Sequence, residues 1–318
     1  MKMPVSNEHM VKMLEDAIIK EKAHWKALDL TEPTCKGGAG VGYEHRSDIV
    51  EWLSLVAHKF QFYPEALSLA VSVLDKFLTC MKVQTKYLKC VALACLYIAC
   101  KITEEDEVVP HIADLVTQSS AYCRADDIVR MERLILNKLA WDVNLATSLH
   151  FLQVSHALLL AENFGLLSTV KNITPTIQLN FLTQKLQLCM TSREFCQWSP
   201  SLIAVSLISL ELEQFRPDWL PLTLSLLKRL KKFSFSELIS CREGLSAHLM
   251  HLVEQAQEDR RENYSRQHKR TRHHTNMRSK RKMTELPLDQ DDIYSSIKNL
   301  YSEGGIGGES CTKLEHEE

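Results

Sequence analysis

Lys101 ends an apolar run, YLKCVALACLYIACK (87–101), and Glu132 sits inside a second one, DIVRMERLILNKLAWD (127–142). An ammonium and a carboxylate on two otherwise core-like helices must either pair with each other or offer themselves to an outside partner. That is the chemistry of recognition, and the spacing points to a protein-docking site. No bond-making constellation accompanies it. The sequence has no HExxH, no phosphate loop, no strand-borne nucleophile elbow and no paired carboxylates on adjoining loops, so enzyme activity is not expected. Ten cysteines are present. Cys90, Cys95 and Cys100 recur every five residues, turning each about 140° from the last on a helix, and no CxxC pair occurs. They read as reduced, mostly buried thiols, with no metal and no cofactor implied.

The elements that must position these charges follow from length and periodicity. A chain of 318 residues exceeds one comfortable core and suggests two domains plus extensions. Hydrophobic residues at 45% and charged residues at 25% suit a globule, while ten glycines and nine prolines punctuate too sparsely for a β-rich fold. Residues 1–44 read as an amphipathic helix over 7–28 followed by a Gly-rich linker, TEPTCKGGAGVGYEH. Five helices are expected between 46 and 139, at about 46–60, 65–79, 84–102, 108–118 and 125–139. Five more are expected at about 147–163, 175–191, 200–214, 217–230 and 235–256. In each set one helix is apolar nearly all round, which marks a central helix wrapped by amphipathic neighbours. Ser199-Pro200 reads as N-cap and first-turn proline of the second central helix. The fold class is therefore all-α, with two tandem five-helix domains at 45–145 and 146–256.

From residue 257 the composition shifts to a basic stretch, DRRENYSRQHKRTRHHTNMRSKRK (259–282), and then to an acidic one. Such a tail buries too little surface to offset ordering, so 257–318 is expected to be disordered. Lys269-Arg270 and Lys280-Arg281-Lys282 fit a bipartite nuclear import signal better than nucleic-acid contact, since no aromatic residues interleave them. A plain solvated tail is the other reading. Within the acidic part, Ile293, Ile297 and Leu300 form one short helical stripe that could fold on a partner or dock back on the chain's own helical domains. No uncharged apolar run reaches about 18 residues, so no membrane span is expected.

Four strings carry a family resemblance. HRSDIVEWL (45–53) resembles the MRxxLVDWL opening of the cyclin box, and LSLAVSVLDKFL (67–78) its xxLAxxxLDRFL. CVALACLYIACKITEED (90–106) resembles the third box helix with its terminal lysine. DDIVRMERLILNKLAWDVNLATSLHFL (126–152) is similar to EILxMExxILxxLxWxLxxPTxxxFL. The order and spacing match, and the second domain resembles the C-terminal cyclin fold. Within cyclins the KxxEED run at 101–106 and the tail DDIYSSIKNLYSE resemble the cyclin I and cyclin G branch, cyclin I in particular.

The resemblance implies a regulatory subunit, not an enzyme, that binds and activates a cyclin-dependent kinase in cell-cycle or related regulation, in nucleus and cytoplasm. The cyclin I likeness hints at an atypical or neuronal-type kinase. By the same carry-over, Lys101 and Glu132 are the pair that hydrogen-bonds kinase backbone, the other reading being an intradomain salt bridge costly to remove. Arg46 and Asp75 match the family's internal ion pair. In the substrate-docking groove, made here of His45, Asp48, Ile49 and Trp52, His45 replaces Met and Asp48 replaces Ile, so weak or absent docking of basic-leucine peptides is expected. The alternative is a non-activating scaffold for a phosphatase or a transcription component.

Overall fold

The computed structural model describes residues 7–30, 34–35, 38–163, 166 and 174–274. Helix α1 (Asn7–His24) buries Leu14, Ala17 and, unusually, Glu21. The Gly-rich break after it contains a two-residue antiparallel pair, β1 (Thr34–Cys35) and β2 (Gly38–Ala39), where only a linker was expected. A strand thus does precede the glycines. Yet Gly42 N-caps the next helix and His45 stands three residues on, so no phosphate-loop lysine follows. The Gly42 N–H donates to His45 Nδ1 at 3.2 Å.

The first helical set comprises α2 (Tyr43–Lys59), α3 (Pro64–Cys80), α4 (Leu88–Thr103), α5 (Ile112–Ser119) and α6 (Ala125–Lys138). Each departure from the expected bounds has a local cause. Pro64 is a first-turn residue of α3, where its missing N–H is no loss. The start of the expected third helix is a 3₁₀ turn, Thr85–Tyr87. Pro110 is not absorbed into α5, which begins after His111 at Ile112. At the N-terminus of α6 the Arg124 N–H donates to Asp127 Oδ2 at 3.0 Å, and Asp126 adds a second first-turn carboxylate that suits the helix dipole.

The second set is α7 (Ser148–Glu162), α8 (Pro175–Cys189), a short extra α9 (Arg193–Gln197), α10 (Pro200–Phe215), α11 (Trp219–Leu230) and α12 (Phe235–His274). Short polar side chains start three of these. Thr147, Thr174 and Ser192 accept the N–H of His150, Ile177 and Phe195, respectively. Ser199 has the backbone of an N-cap but its hydroxyl makes no capping bond. The carboxylate of Glu21 takes that place: Ser201 N–H donates to Oε1 and Ser201 Oγ to Oε2, both at 2.8 Å. α1 is thereby fastened to the N-terminus of α10, and burial pushes the Glu21 carboxyl above its ordinary value against the opposing pull of the Ser201 hydrogen bonds and Lys232.

The two apolar runs are the central helices. α4 packs against α2, α3 and α6, and α10 against α7, α8 and α11, with Leu93, Leu96, Leu202 and Leu207 fully buried. Among the described residues, those up to Leu249 form one compact unit, which holds both helical sets except the part of α12 from Met250 onward. The composition change at 257 does not end α12, which continues to His274 where disorder was expected. Residues 245–274 contain no Gly or Pro, so no helix breaker interrupts this stretch. Residues 280–282 and the stripe of Ile293, Ile297 and Leu300 lie outside the described residues. No described helix is long and apolar enough to cross a membrane.

Candidate protein-docking site

Lys101 lies in the last turn of α4 and Glu132 in the middle of α6, and the packing of these two helices brings the side chains into direct contact. Lys101 Nζ donates to Glu132 Oε1 and also lies 4.5 Å from the centre of the Tyr97 ring. The pair is not buried. The Lys101 side chain is 40% exposed, so its ammonium faces solvent at the helix end, while Glu132 is 13% exposed. The apolar run therefore ends at the surface instead of carrying a charge through the core. With its lysine in solvent the pair is closer to a surface bridge than to a buried one, and surface bridges contribute about 0.2–1 kcal/mol.

The surroundings are apolar and open. Ile102 follows Lys101, Val129 stands one helical turn before Glu132, and both are exposed. Sequence reasoning did not single out Trp141. It is 67% exposed and sits just beyond α6. Ala140 (φ 53°) and Trp141 (φ 61°) are both left-handed, and the Trp141 N–H closes back on Leu136 O at 2.8 Å. Two consecutive non-glycine residues in that region store roughly 1 kcal/mol or more each. The strain ends the helix and turns an indole outward. A donor–acceptor pair with exposed Ile and Val beside it has the make-up of a protein interface.

Arg46 and Asp75 have a different role. Arg46 is 1% exposed; its Nε and Nη2 donate to Asp75 Oδ1 and Oδ2 at 2.7 and 2.6 Å. Its Nη1 donates to Met190 O at 2.7 Å, and the guanidinium lies over the Phe195 ring at 5.7 Å. The ion pair thus ties α2 to α3 and also clamps the first helical set to the second. The sequence gives no sign of this, because a backbone carbonyl carries no residue signature. Burial alone would lower the Arg46 pKa, but the Asp75 charge and its hydrogen bonds more than offset it and the value rises.

Of the groove residues, His45 and Asp48 are exposed on α2 and Trp52 is half-buried. Ile49 is in the core and lines no surface, at the inner edge of the α2 stripe that His45, Asp48 and Trp52 also occupy. The Lys89 ammonium lies 5.4 Å from the Trp52 ring, adding a cation to the face. Lys269 and Arg270 fall on the backbone of α12. Among the described residues, no three or more His, Cys, Asp or Glu side chains converge as a metal site.

Residues 27–144 match the family profile described as Cyclin, N-terminal domain. The chain carries a cyclin box over these residues. Human Cyclin-I2 is 32% identical over 182 residues, 57% of this chain and 49% of that protein. Human Cyclin-G1 is 38% identical over 166 residues, covering 52% and 54%, and mouse Cyclin-G2 is 33% identical over 221 residues, covering 70% and 62%. The matched region spans about half to two thirds of these relatives. The X-ray structure of a viral cyclin from Herpesvirus saimiri superposes with a TM-score of 0.59 at 17% identity, covering 75% of this chain and 96% of the viral one. The cyclin fold thus extends over both helical sets, and the cyclin box carries both Lys101 and Glu132.

Proposed function

We propose that the chain is a cyclin-type regulatory subunit that docks on a cyclin-dependent protein kinase through the α4–α6 face and activates it. The observation that carries this reading is the Lys101–Glu132 pair, whose lysine faces solvent at the end of α4 with exposed Ile102 and Val129 beside it. In the complex, the lysine and glutamate exchange each other for backbone acceptors and donors of the kinase, while the apolar rim excludes water. Docking of this kind activates by holding the kinase's mobile helix where its own Lys–Glu pair forms and its activation loop orders. The charge at Asp48 and the imidazole at His45 disfavour an apolar anchor on α2, so substrates reach the complex by another route than a basic-leucine docking peptide.

The test is capture from cell extract with wild type, Lys101→Ala and Glu132→Ala, all checked for helical circular dichroism. Recovery of an active cyclin-dependent kinase with wild type and its loss with both variants is the expected result. Phosphatase captured equally by all three, with no kinase, overturns it in favour of a scaffold.

A further inference from the structure

We infer that the pocket where α1 meets α3 and the α9–α10 turn is a binding site for a small phosphate monoester with an aromatic or apolar body. The pocket holds about 70 Å³, room for roughly five water-sized groups and so for a phosphate head. Part of its lining is apolar: Trp25 and Leu28, just past α1, and Trp198 and Ile203 around the start of α10. The rest is largely cationic, with Lys20, His24 and Lys26 from α1 and the residues after it and Lys76 from α3. Indole rings beside ammonium groups suit an anionic head on an apolar body.

Charge decides the ligand. Two carboxylates line the pocket, and both are already engaged. Glu21 accepts from the Ser201 N–H and Oγ at 2.8 Å, and Asp75 accepts from Arg46 at 2.7 and 2.6 Å. Asp142, in contact with the lining, answers His24 Nδ1 at 2.8 Å and takes Lys76 Nζ on its backbone carbonyl at 3.0 Å. Two cations are left without an acid. Lys20 Nζ donates to the neutral Asn144 Oδ1 at 3.3 Å, and among the described residues no carboxylate pairs with Lys26. Lys232 adds a further positive charge, 5.3 Å from the Trp25 ring and 3.9 Å from Glu21 Oε2. Five permanent cations (Lys20, Lys26, Arg46, Lys76, Lys232) thus meet three carboxylates (Glu21, Asp75, Asp142), an excess of two positive charges with His24 neutral. A phosphate monoester carries about −1.5 to −2 at pH 7, which matches that excess, and lysine binds such a group as a point charge. Bound there, the head lies among the lysines and the body against the indoles, joining α1 to α3 and α10. Asp75 is also half of the ion pair that clamps the two helical sets, so the ligand sits at their seam. The pocket shares no residue with the α4–α6 face and stands whether or not the chain binds a kinase.

Titration calorimetry of the 318-residue chain with phenyl phosphate, inorganic phosphate and phenol tests the assignment. Phenyl phosphate should bind at one site and raise the melting temperature as it saturates. Inorganic phosphate should bind about tenfold more weakly for want of the ring, and phenol not measurably. Lys20→Ala/Lys26→Ala, folded by circular dichroism, should bind phenyl phosphate about tenfold more weakly. If the double variant fails to fold, Lys26→Ala alone carries the same test, with a loss of about threefold. No binding of phenyl phosphate at millimolar concentration, equal affinity for inorganic phosphate or phenol, or unchanged affinity in the folded variant overturns the assignment.

Discussion

A charge swap separates docking from structure at Lys101 and Glu132. The double variant Lys101→Glu/Glu132→Lys keeps an ion pair but reverses the donor and acceptor presented outward. With the lysine 40% exposed, the pair contributes about 0.2–1 kcal/mol, and the single charge reversals, which place like charges together, cost a similar amount. Urea unfolding should therefore show each single variant less stable by about 1 kcal/mol and the double variant close to wild type. Binding should behave otherwise. Losing a charge that is desolvated in an interface costs about 2–5 kcal/mol, or roughly 30-fold to several thousand-fold in Kd. Titration calorimetry with a purified cyclin-dependent kinase captured by the wild-type chain should show that loss in the double variant as fully as in the singles. Kinase affinity that recovers in the double variant along with stability would refute the docking role and leave an intradomain bridge.

Three further outcomes follow from the fold. Asp75→Ala leaves the Arg46 guanidinium buried without its bidentate partner and should cost about 3–5 kcal/mol in urea unfolding; a loss under 1 kcal/mol would show that Met190 O and solvent suffice. Glu21 has a raised folded pKa, so the protonated form favours the folded state and its contribution is lost as pH rises from the ordinary 4.5 through the folded value. Glu21→Gln should then gain on wild type as pH rises above 4.5, and parallel stability curves from pH 4 to 7 would contradict this. We further propose that the basic segment directs nuclear import: changing Lys280, Arg281 and Lys282 to Ala should abolish nuclear accumulation of a fluorescent fusion, and unaltered imaging would dismiss the idea.

Helix positions and the cyclin box were legible in the sequence because both depend on local order. Apolar periodicity, Pro64, Pro175 and Pro200 at helix starts and the string around Lys101 are written in neighbouring residues. Three things were not. Whether Lys101 is buried depends on where α4 ends relative to α6, which is a packing outcome. Trp141 is turned outward by two left-handed residues that no composition signals. Glu21 and Arg46 reach Ser201 and Met190, across 180 and 144 residues, through a backbone N–H and a backbone carbonyl that every residue possesses. The sequence by itself determined which residues could form a docking pair and which family's helices would carry them. Only the tertiary structure decided that the two charges meet, with the lysine at the surface, because burial and long-range hydrogen bonds are properties of the assembled helices and not of any one segment.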